Sequence, residues 1–118
     1  MDRDELIERT MTFAVRVLNM VDRFPRTIAG RTIGAQIARS ATSVAANYRA
    51  ALRGKSRADF IAKITTVLEE ADETEFWIEV TKRAELLRPE MLAPLQTEAG
   101  ELVRIFSATR ATAKNRQS

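Results

Sequence analysis

Residues 56–80, SRADFIAKITTVLEEADETEFWIEV, decide the fold class. Apolar and small side chains recur there at alternating steps of four and three residues, the spacing that keeps one face of an α-helix apolar. That face consists of Phe60, Ile64, Val67, Ala71, Thr74 and Ile78. Ser56 can cap the free backbone N–H groups of a helix start, and Asp59 suits the positive end of its dipole. The stretch therefore predicts a long amphipathic helix that ends at about Leu87.

The rest of the chain contains three more segments in which apolar residues recur at helical spacing. We expect them to run from about Asp4 to Arg23, from about Thr32 to Arg53 and from about Pro94 to Thr112. No segment shows the alternation of a strand. Four amphipathic helices with short connections predict an all-α fold, an up-down-up-down four-helix bundle, in a single domain of residues 1–118.

Glycine and proline mark the expected helix ends. Pro25 ends the first helix, and Gly54 is a candidate left-handed cap for the second. Pro89 and Pro94 are expected to bracket the turn before the fourth helix. Residues 114–118 are expected to fray, because chain termini are held by few contacts.

The composition of the 118-residue chain excludes several kinds of site, because it contains no cysteine and no histidine. Disulfides, thiolate nucleophiles and cysteine or histidine metal ligands are excluded, and so is the commonest general base. No apolar run approaches the roughly 20 residues that cross a bilayer, and residues 1–5 lack the pattern of a signal peptide. We expect a cytoplasmic protein with no catalytic residues, no cofactor, no bound metal and no membrane partner.

Charge is distributed unevenly along the chain, although the net charge is only +3. Residues 26–58 carry seven basic residues and no acidic one, whereas residues 59–88 carry eight acidic and four basic ones. The second helix is therefore basic and the third acidic. This uneven distribution of charge influences which partners can bind more than the net charge does.

The basic residues of the second helix predict a surface for nucleic acid. At about 100° per residue, four arginines fall in one arc opposite the apolar stripe: Arg31, Arg39, Arg49 and Arg53. Arginine can donate two parallel hydrogen bonds to a phosphate. No aromatic residue is interleaved with these arginines, so contact with an RNA or DNA backbone is expected to be weakly sequence-specific. The candidate nucleic-acid-binding residues are Arg31, Arg49, Arg53, Lys55 and Arg57. A solvated face, or pairing with acids of the third helix, is an equal alternative.

A second set of residues predicts contacts between helices or between subunits. Serine, threonine and asparagine cluster inside the second helix, where they favour a hydrogen-bond network. The third helix has a second apolar strip, which includes Phe76 and Val80 with Trp77 on its flank. A helix that is apolar on two sides is central in its bundle or meets another subunit, and here a homo-oligomer is favoured. The candidates are Gln36, Arg39, Ser40, Ser43, Asn47, Glu70, Glu73, Phe76, Trp77 and Val80.

The acidic run of the third helix, residues 69–79, is open to a metal-binding interpretation. A ferritin-like di-iron site pairs glutamate with histidine, which this chain lacks. We interpret the acids as solvated or as partners of the arginines on the second helix.

Several stretches resemble the bacterial four helix bundle protein family, which includes proteins encoded in intervening sequences of 23S ribosomal RNA genes. The longest is QIARSATSVAANY at residues 36–48. The others are SRADF at 56–60, EEADETEFW at 69–77 and RTMTFA at 9–14. Together they span nearly the whole chain, and their combination is specific.

The resemblance implies a bundle that assembles into a ring-like pentamer, with an unsettled biochemical role. A related branch, the accessory variability determinant of diversity-generating retroelements, is a basic pentamer that binds nucleic acid and a reverse transcriptase. Many relatives carry Asn-x-x-Glu-Gly at the end of the second helix. This chain has Ala50 where that glutamate would follow Asn47, which indicates a different branch.

Two hypotheses therefore enter the structural analysis. In the first, the protein is a non-catalytic oligomer whose basic second helix binds RNA or DNA. In the second, it is a structural or protein-interaction module in which that helix pairs with the acidic third helix of another subunit.

Overall fold

Four α-helices make up the fold, and the computed structural model describes residues 1–117 of the chain. They are α1 (Arg3–Val21), α2 (Ile28–Ala51), α3 (Arg57–Arg83) and α4 (Pro89–Gln117). No strand occurs among these residues. The molecule measures 48 × 22 × 21 Å, as expected for long helices aligned along one axis. The predicted all-α four-helix bundle is confirmed.

Successive helices run in opposite directions. Gln96 of α4 donates a hydrogen bond to Glu79 of α3 at 2.7 Å, and Arg110 donates one to Thr65 at 2.8 Å. Residue numbers therefore fall along α3 as they rise along α4. Connections of only five or six residues impose the same reversal on the other neighbouring pairs. Helix α2 packs against α1 and α3, and α3 also packs against α4, whereas α1 meets α4 along a narrower contact.

One apolar core runs through all four helices. Along α3 the predicted face is confirmed, because its members from Ile64 to Ile78 are fully buried and Phe60 is half-buried. Burying each large apolar side chain contributes about 1.5–3 kcal/mol, so this face holds α3 between α2 and α4. The other helices contribute the fully buried side chains of Phe13, Val17, Ile37, Val44, Leu92, Leu102 and Phe106.

The start of α2 lies four residues before the predicted Thr32, at Ile28. Thr27 caps it by accepting a hydrogen bond from the backbone N–H of Gly30 at 3.0 Å. A side chain at Gly30 would collide with the backbone carbonyl oxygen of Pro25. Gly30 therefore lies in the first turn of the helix, where the absence of a side chain allows the preceding loop to pack against it.

The predicted cap at Gly54 is wrong, since no glycine in the described chain has a positive φ. Helix α2 ends at Ala51 with a right-handed cap at Leu52. The left-handed residue is Glu85, with φ 56°. It ends α3 at Arg83 rather than at Leu87, because the N–H of Leu86 bonds back to the carbonyl of Thr81 at 3.1 Å.

The predicted turn between Pro89 and Pro94 is also wrong, because α4 begins at Pro89 and contains Pro94. Proline suits the first helical position, where its missing N–H would have had no partner. At Pro94 the helix lacks one bond to the carbonyl of Glu90, and both residues are exposed, so that carbonyl can be hydrated. The expected frayed tail is helical as far as Gln117, and Ser118 lies outside the described residues.

Candidate nucleic-acid interface

The five basic residues predicted to bind nucleic acid do not share one surface. Arg31 lies in the first turn of α2, eighteen residues before Arg49, a separation of about 27 Å along the helix. Its guanidinium donates a hydrogen bond to the backbone carbonyl of Arg26 at 3.1 Å. Arg31 therefore belongs to the opposite end of the bundle from the other four candidates.

The remaining candidates converge where α2 ends and α3 begins. Arg49 lies in the last turn of α2, Arg53 and Lys55 in the connection that follows, and Arg57 in the first turn of α3. Because α4 is antiparallel to α3, its last turns lie at the same place, and one groove is lined by both Arg57 and Arg116. We call this cluster the basic end; its members are Arg49, Arg53, Lys55, Arg57, Lys114 and Arg116.

No side chain of the basic end forms an ion pair with a carboxylate among residues 1–117. The nearest acid on α3, Asp59, is already engaged, since it accepts hydrogen bonds from Lys63 at 2.7 Å and from the backbone N–H of Lys55 at 3.1 Å. The Lys63 hydrogen bond lowers the pKa of Asp59, and the Lys55 backbone lowers it further. All six cations are exposed, so they are available to a polyanion.

The N-terminus of α1 lies at the same end of the bundle, since Arg3 and Asp2 act electrostatically on Tyr48 near the end of α2. Burial raises the pKa of the Tyr48 phenol. Asp2 caps α1 by accepting a hydrogen bond from the backbone N–H of Glu5 at 2.8 Å. This hydrogen bond lowers the pKa of Asp2, so its carboxylate is occupied within α1.

Arg39, in the middle of α2, is in the opposite situation. Its guanidinium donates hydrogen bonds to Glu70 at 3.1 Å and to Glu73, both on α3 of the same chain. Its Nε also points to the side-chain oxygen of Gln36 at 3.4 Å. The structure thus brings four of the predicted contact residues together across the α2–α3 seam.

Beneath Arg39, the same seam carries a buried polar contact. The hydroxyls of Ser40 and Thr74 are hydrogen-bonded at 2.8 Å, and both side chains are fully buried. Thr74 lies 2.8 Å from the carbonyl oxygen of Glu70, and Ser40 lies 3.3 Å from that of Ile37. Buried hydroxyls are costly without partners, so this pair joins α2 to α3 in one register.

Ser43 and Asn47 interact within α2 rather than with another helix. The side-chain amide of Asn47 donates to the carbonyl of Ser43 at 2.9 Å and to its hydroxyl at 2.7 Å. Both side chains are half-buried. These contacts therefore stabilise the local helix surface.

Phe76 and Trp77 form an aromatic pair on α3, with ring centroids 5.0 Å apart in an edge-to-face arrangement. Phe76 is 57% exposed, while Trp77 and Val80 are half-buried against the core. Among residues 1–117, the buried indole N–H of Trp77 has no hydrogen-bond partner. A groove of about 520 Å³ runs beside the pair and is lined by Gln36, Glu69, Asp72, Glu73, Phe76 and Trp77.

Near the end of α3, a further acid is engaged by neighbouring side chains. Glu79 accepts hydrogen bonds from Arg83 and Gln96, and these lower its pKa. Within residues 1–117, no group of three or more carboxylates is placed to hold a metal ion. In the same part of the chain, no helix combines the length and apolarity needed to cross a membrane.

Two features of the surface were missed by the sequence interpretation. Lys114 and Arg116 were assigned to a frayed tail, although a helix antiparallel to α3 must bring them beside Arg57. The second feature is Arg9, which donates to Glu98 and Glu101 at 2.7 and 2.9 Å and joins α1 to α4. The Arg9 guanidinium lowers the pKa of Glu98. Arg9 and Glu98 are 89 positions apart, so no sequence pattern indicates that they form an ion pair.

The chain was compared with known proteins by sequence and by structure. The model of the 23S rRNA-intervening sequence protein family matches residues 3–108. A solved structure from Bacteroides thetaiotaomicron, described as a protein with unknown function from the S23 ribosomal protein family, is 33% identical. It superimposes with a TM-score of 0.82 over 88% of this chain and 96% of that one. No curated protein matches the sequence. The chain belongs to the 23S rRNA-intervening sequence protein family.

Proposed function

We propose that the protein is a non-catalytic, oligomeric bundle that binds the backbone of RNA or DNA through its basic end. The observation that supports this most strongly is the absence, among residues 1–117, of any carboxylate paired with Arg49, Arg53, Arg57 or Arg116. Cations held close together without internal partners repel one another and attract polyanions. Binding of a nucleic-acid backbone releases condensed counterions, which favours association.

The proposed oligomer is a homopentamer, the state that the family resemblance implies. Apolar side chains left exposed on the single chain support an assembly of some kind. Met11, Val15 and Leu18 are 40–50% exposed and line one face of α1, and Phe76 is exposed on α3. An assembly would also multiply the basic ends on one particle, which strengthens binding to a long polyanion. Light scattering of the purified protein tests the subunit number.

Salt-dependent binding to a labelled oligonucleotide tests the proposed function. Association should weaken steeply with added salt, and replacing Arg49 and Arg53 by alanine should lower the log–log slope by about 1.4 for a single strand. A matched control replaces Arg26 and Arg31, at the other end of α2, and should leave the slope unchanged. Absence of binding at low salt would contradict the proposal. If the two double variants lost equal amounts of the salt slope, binding would not be located at the basic end.

The alternative function, a structural or protein-interaction module, is favoured by the groove beside Phe76. Because Glu73 already binds Arg39 of the same chain, the acids of this groove left for another subunit are Glu69 and Asp72, which are exposed. In this alternative the arginines of α2 in one subunit meet the acids of α3 in the next. Reversing the charge of Arg49 should then break the assembly, and an intact assembly by light scattering would exclude it.

A further inference from the structure

A groove at the basic end combines an aromatic ring with two arginines. Its volume is about 610 Å³, and it lies between the start of α3 and the end of α4. Arg57 and Phe60 line it from α3, and Arg116 lines it from α4. The remaining lining residues are small: Ala108, Thr109, Thr112 and Ala113. Small side chains on α4 leave the half-buried ring of Phe60 accessible from outside.

We propose that this groove accepts one unpaired nucleotide, with the base against Phe60 and the flanking phosphates at Arg57 and Arg116. This inference rests on the proposed function and specifies its substrate as single-stranded nucleic acid. In a duplex the faces of the bases are covered by their neighbours, whereas an unpaired base can stack on an aromatic side chain. Sequence alone does not indicate this site, because Phe60 and Arg116 are 56 positions apart.

The lining of the groove distinguishes this ligand from other small molecules. Its surface is mainly apolar, it carries two positive charges, and none of its lining residues is acidic. A flat apolar group that carries negative charge at its edge satisfies both conditions, and a nucleotide is such a group. The volume lies within the range of about 300–1,000 Å³ that is typical of small-ligand pockets.

The groove beside Phe76 provides an internal comparison. It has a similar volume, about 520 Å³, and two aromatic residues, but its charged lining residues are all acidic: Glu69, Asp72 and Glu73. Phosphate would be repelled there. A phenylalanine thus lines each groove, half-buried at Phe60 and exposed at Phe76, and only the groove at the basic end pairs it with cations.

Binding of three probes to the full-length protein tests the inference. The probes are a single strand of about 12 nucleotides, a strand of equal length made of abasic sugar phosphates, and a duplex. The wild-type protein should bind the base-bearing strand at least about five-fold more tightly than the abasic strand. Phe60→Leu should remove most of that preference while leaving affinity for the abasic strand and the duplex unchanged. Phe76→Leu, the matched control, should keep the wild-type ratio of affinities for the base-bearing and abasic strands, whatever its effect on assembly.

The outcomes separate this inference from the proposed function. If the wild-type protein binds the base-bearing and abasic strands equally, the nucleotide site is wrong while backbone binding stands. If the wild-type protein binds none of the three probes, both fail. Because the preference is measured first on the wild-type protein, the inference can be overturned even if Phe60→Leu does not fold.

Discussion

The middle of α2 and the end of α2 carry the same type of residue in opposite environments. In the middle, Arg39 is held by Glu70 and Glu73 across the seam with α3. At the end, Arg49 and Arg53 have no carboxylate partner among residues 1–117. A run of basic residues without acids thus divides into a structural part and an available part. The division follows from where the acids of α3 lie, since its acidic run packs against the middle of α2.

The same contrast extends to the other helices. Arg9 in α1 is held by Glu98 and Glu101 of α4, so a second seam of the bundle is also closed by an arginine. In the last turns of α4, Arg116 again lacks a carboxylate partner in the described chain. Arg9 and Arg39, along the body of the bundle, thus join helices through carboxylates, whereas the arginines of the basic end form no such pair among residues 1–117.

The largest expected effect is on binding and comes from the basic end. Replacing Arg49, Arg53, Arg57 and Arg116 together by alanine should weaken binding of a single strand on the order of 10²-fold at 0.1 M salt, because four phosphate contacts are lost. Thermal unfolding should change little, since these exposed side chains hold no other residue in place. A large loss of stability would show that the four arginines are structural and would break the comparison.

The next effect is on stability and concerns the α1–α4 seam. Replacing Arg9 by methionine should reduce the free energy of unfolding by about 1–2 kcal/mol at neutral pH, because Glu98 loses its charged partner. Since the folded pKa of Glu98 lies below its ordinary value of 4.5, this stabilisation is present above that value and is lost as the pH falls through the lowered pKa. Urea unfolding of the variant and the wild type at neutral and at acidic pH measures this stabilisation. If the difference in free energy of unfolding between the two proteins grew on acidification, the Arg9–Glu98 ion pair would not be its source.

A smaller loss is expected from the buried polar contact of the α2–α3 seam. Ser40→Ala should cost about 1 kcal/mol, because Thr74 keeps its bond to the carbonyl of Glu70 but loses the hydroxyl opposite. Chemical denaturation measures this cost. Thr42→Ala, which removes a partly exposed hydroxyl bonded only within α2, is a matched control and should cost less.

The smallest effect is expected at Arg39 itself. Its side chain is 48% exposed, so solvent screens the pair and Arg39→Ala should cost about 0.5 kcal/mol or less. Oligonucleotide affinity should be unchanged, because this arginine is occupied by Glu70 and Glu73. If the variant bound nucleic acid as weakly as the Arg49→Ala and Arg53→Ala double variant, the division of α2 into two parts would be wrong.

The sequence was sufficient to predict the bundle because its apolar stripes repeat at helical spacing in every segment. It also located the cap at Ser56, since serine there has few other roles. It failed at Gly54 and Glu85, because which residue takes the left-handed conformation depends on tertiary packing. Pro94 was misassigned because proline is tolerated near the start of an exposed helix.

The candidate surface was less predictable than the fold. A helical projection shows angles around an axis and hides distances along it, which is why Arg31 was grouped with Arg49. Arg116 and Phe60 could be placed together only once α4 was known to return beside α3. Similarly, the partners of Arg39 were within the predicted set, but the sequence could not show that they belong to the same chain.

Titration of the isotope-labelled protein with a short single strand, followed by nuclear magnetic resonance, tests the central claim most directly. It reports which backbone amides and arginine side chains change environment on binding. If the basic end binds the strand, the shifts should be concentrated in residues 49–60 and 108–116, with little change in residues 36–47. Shifts concentrated at Arg39 and along the middle of α2, with the basic end unaffected, would contradict it.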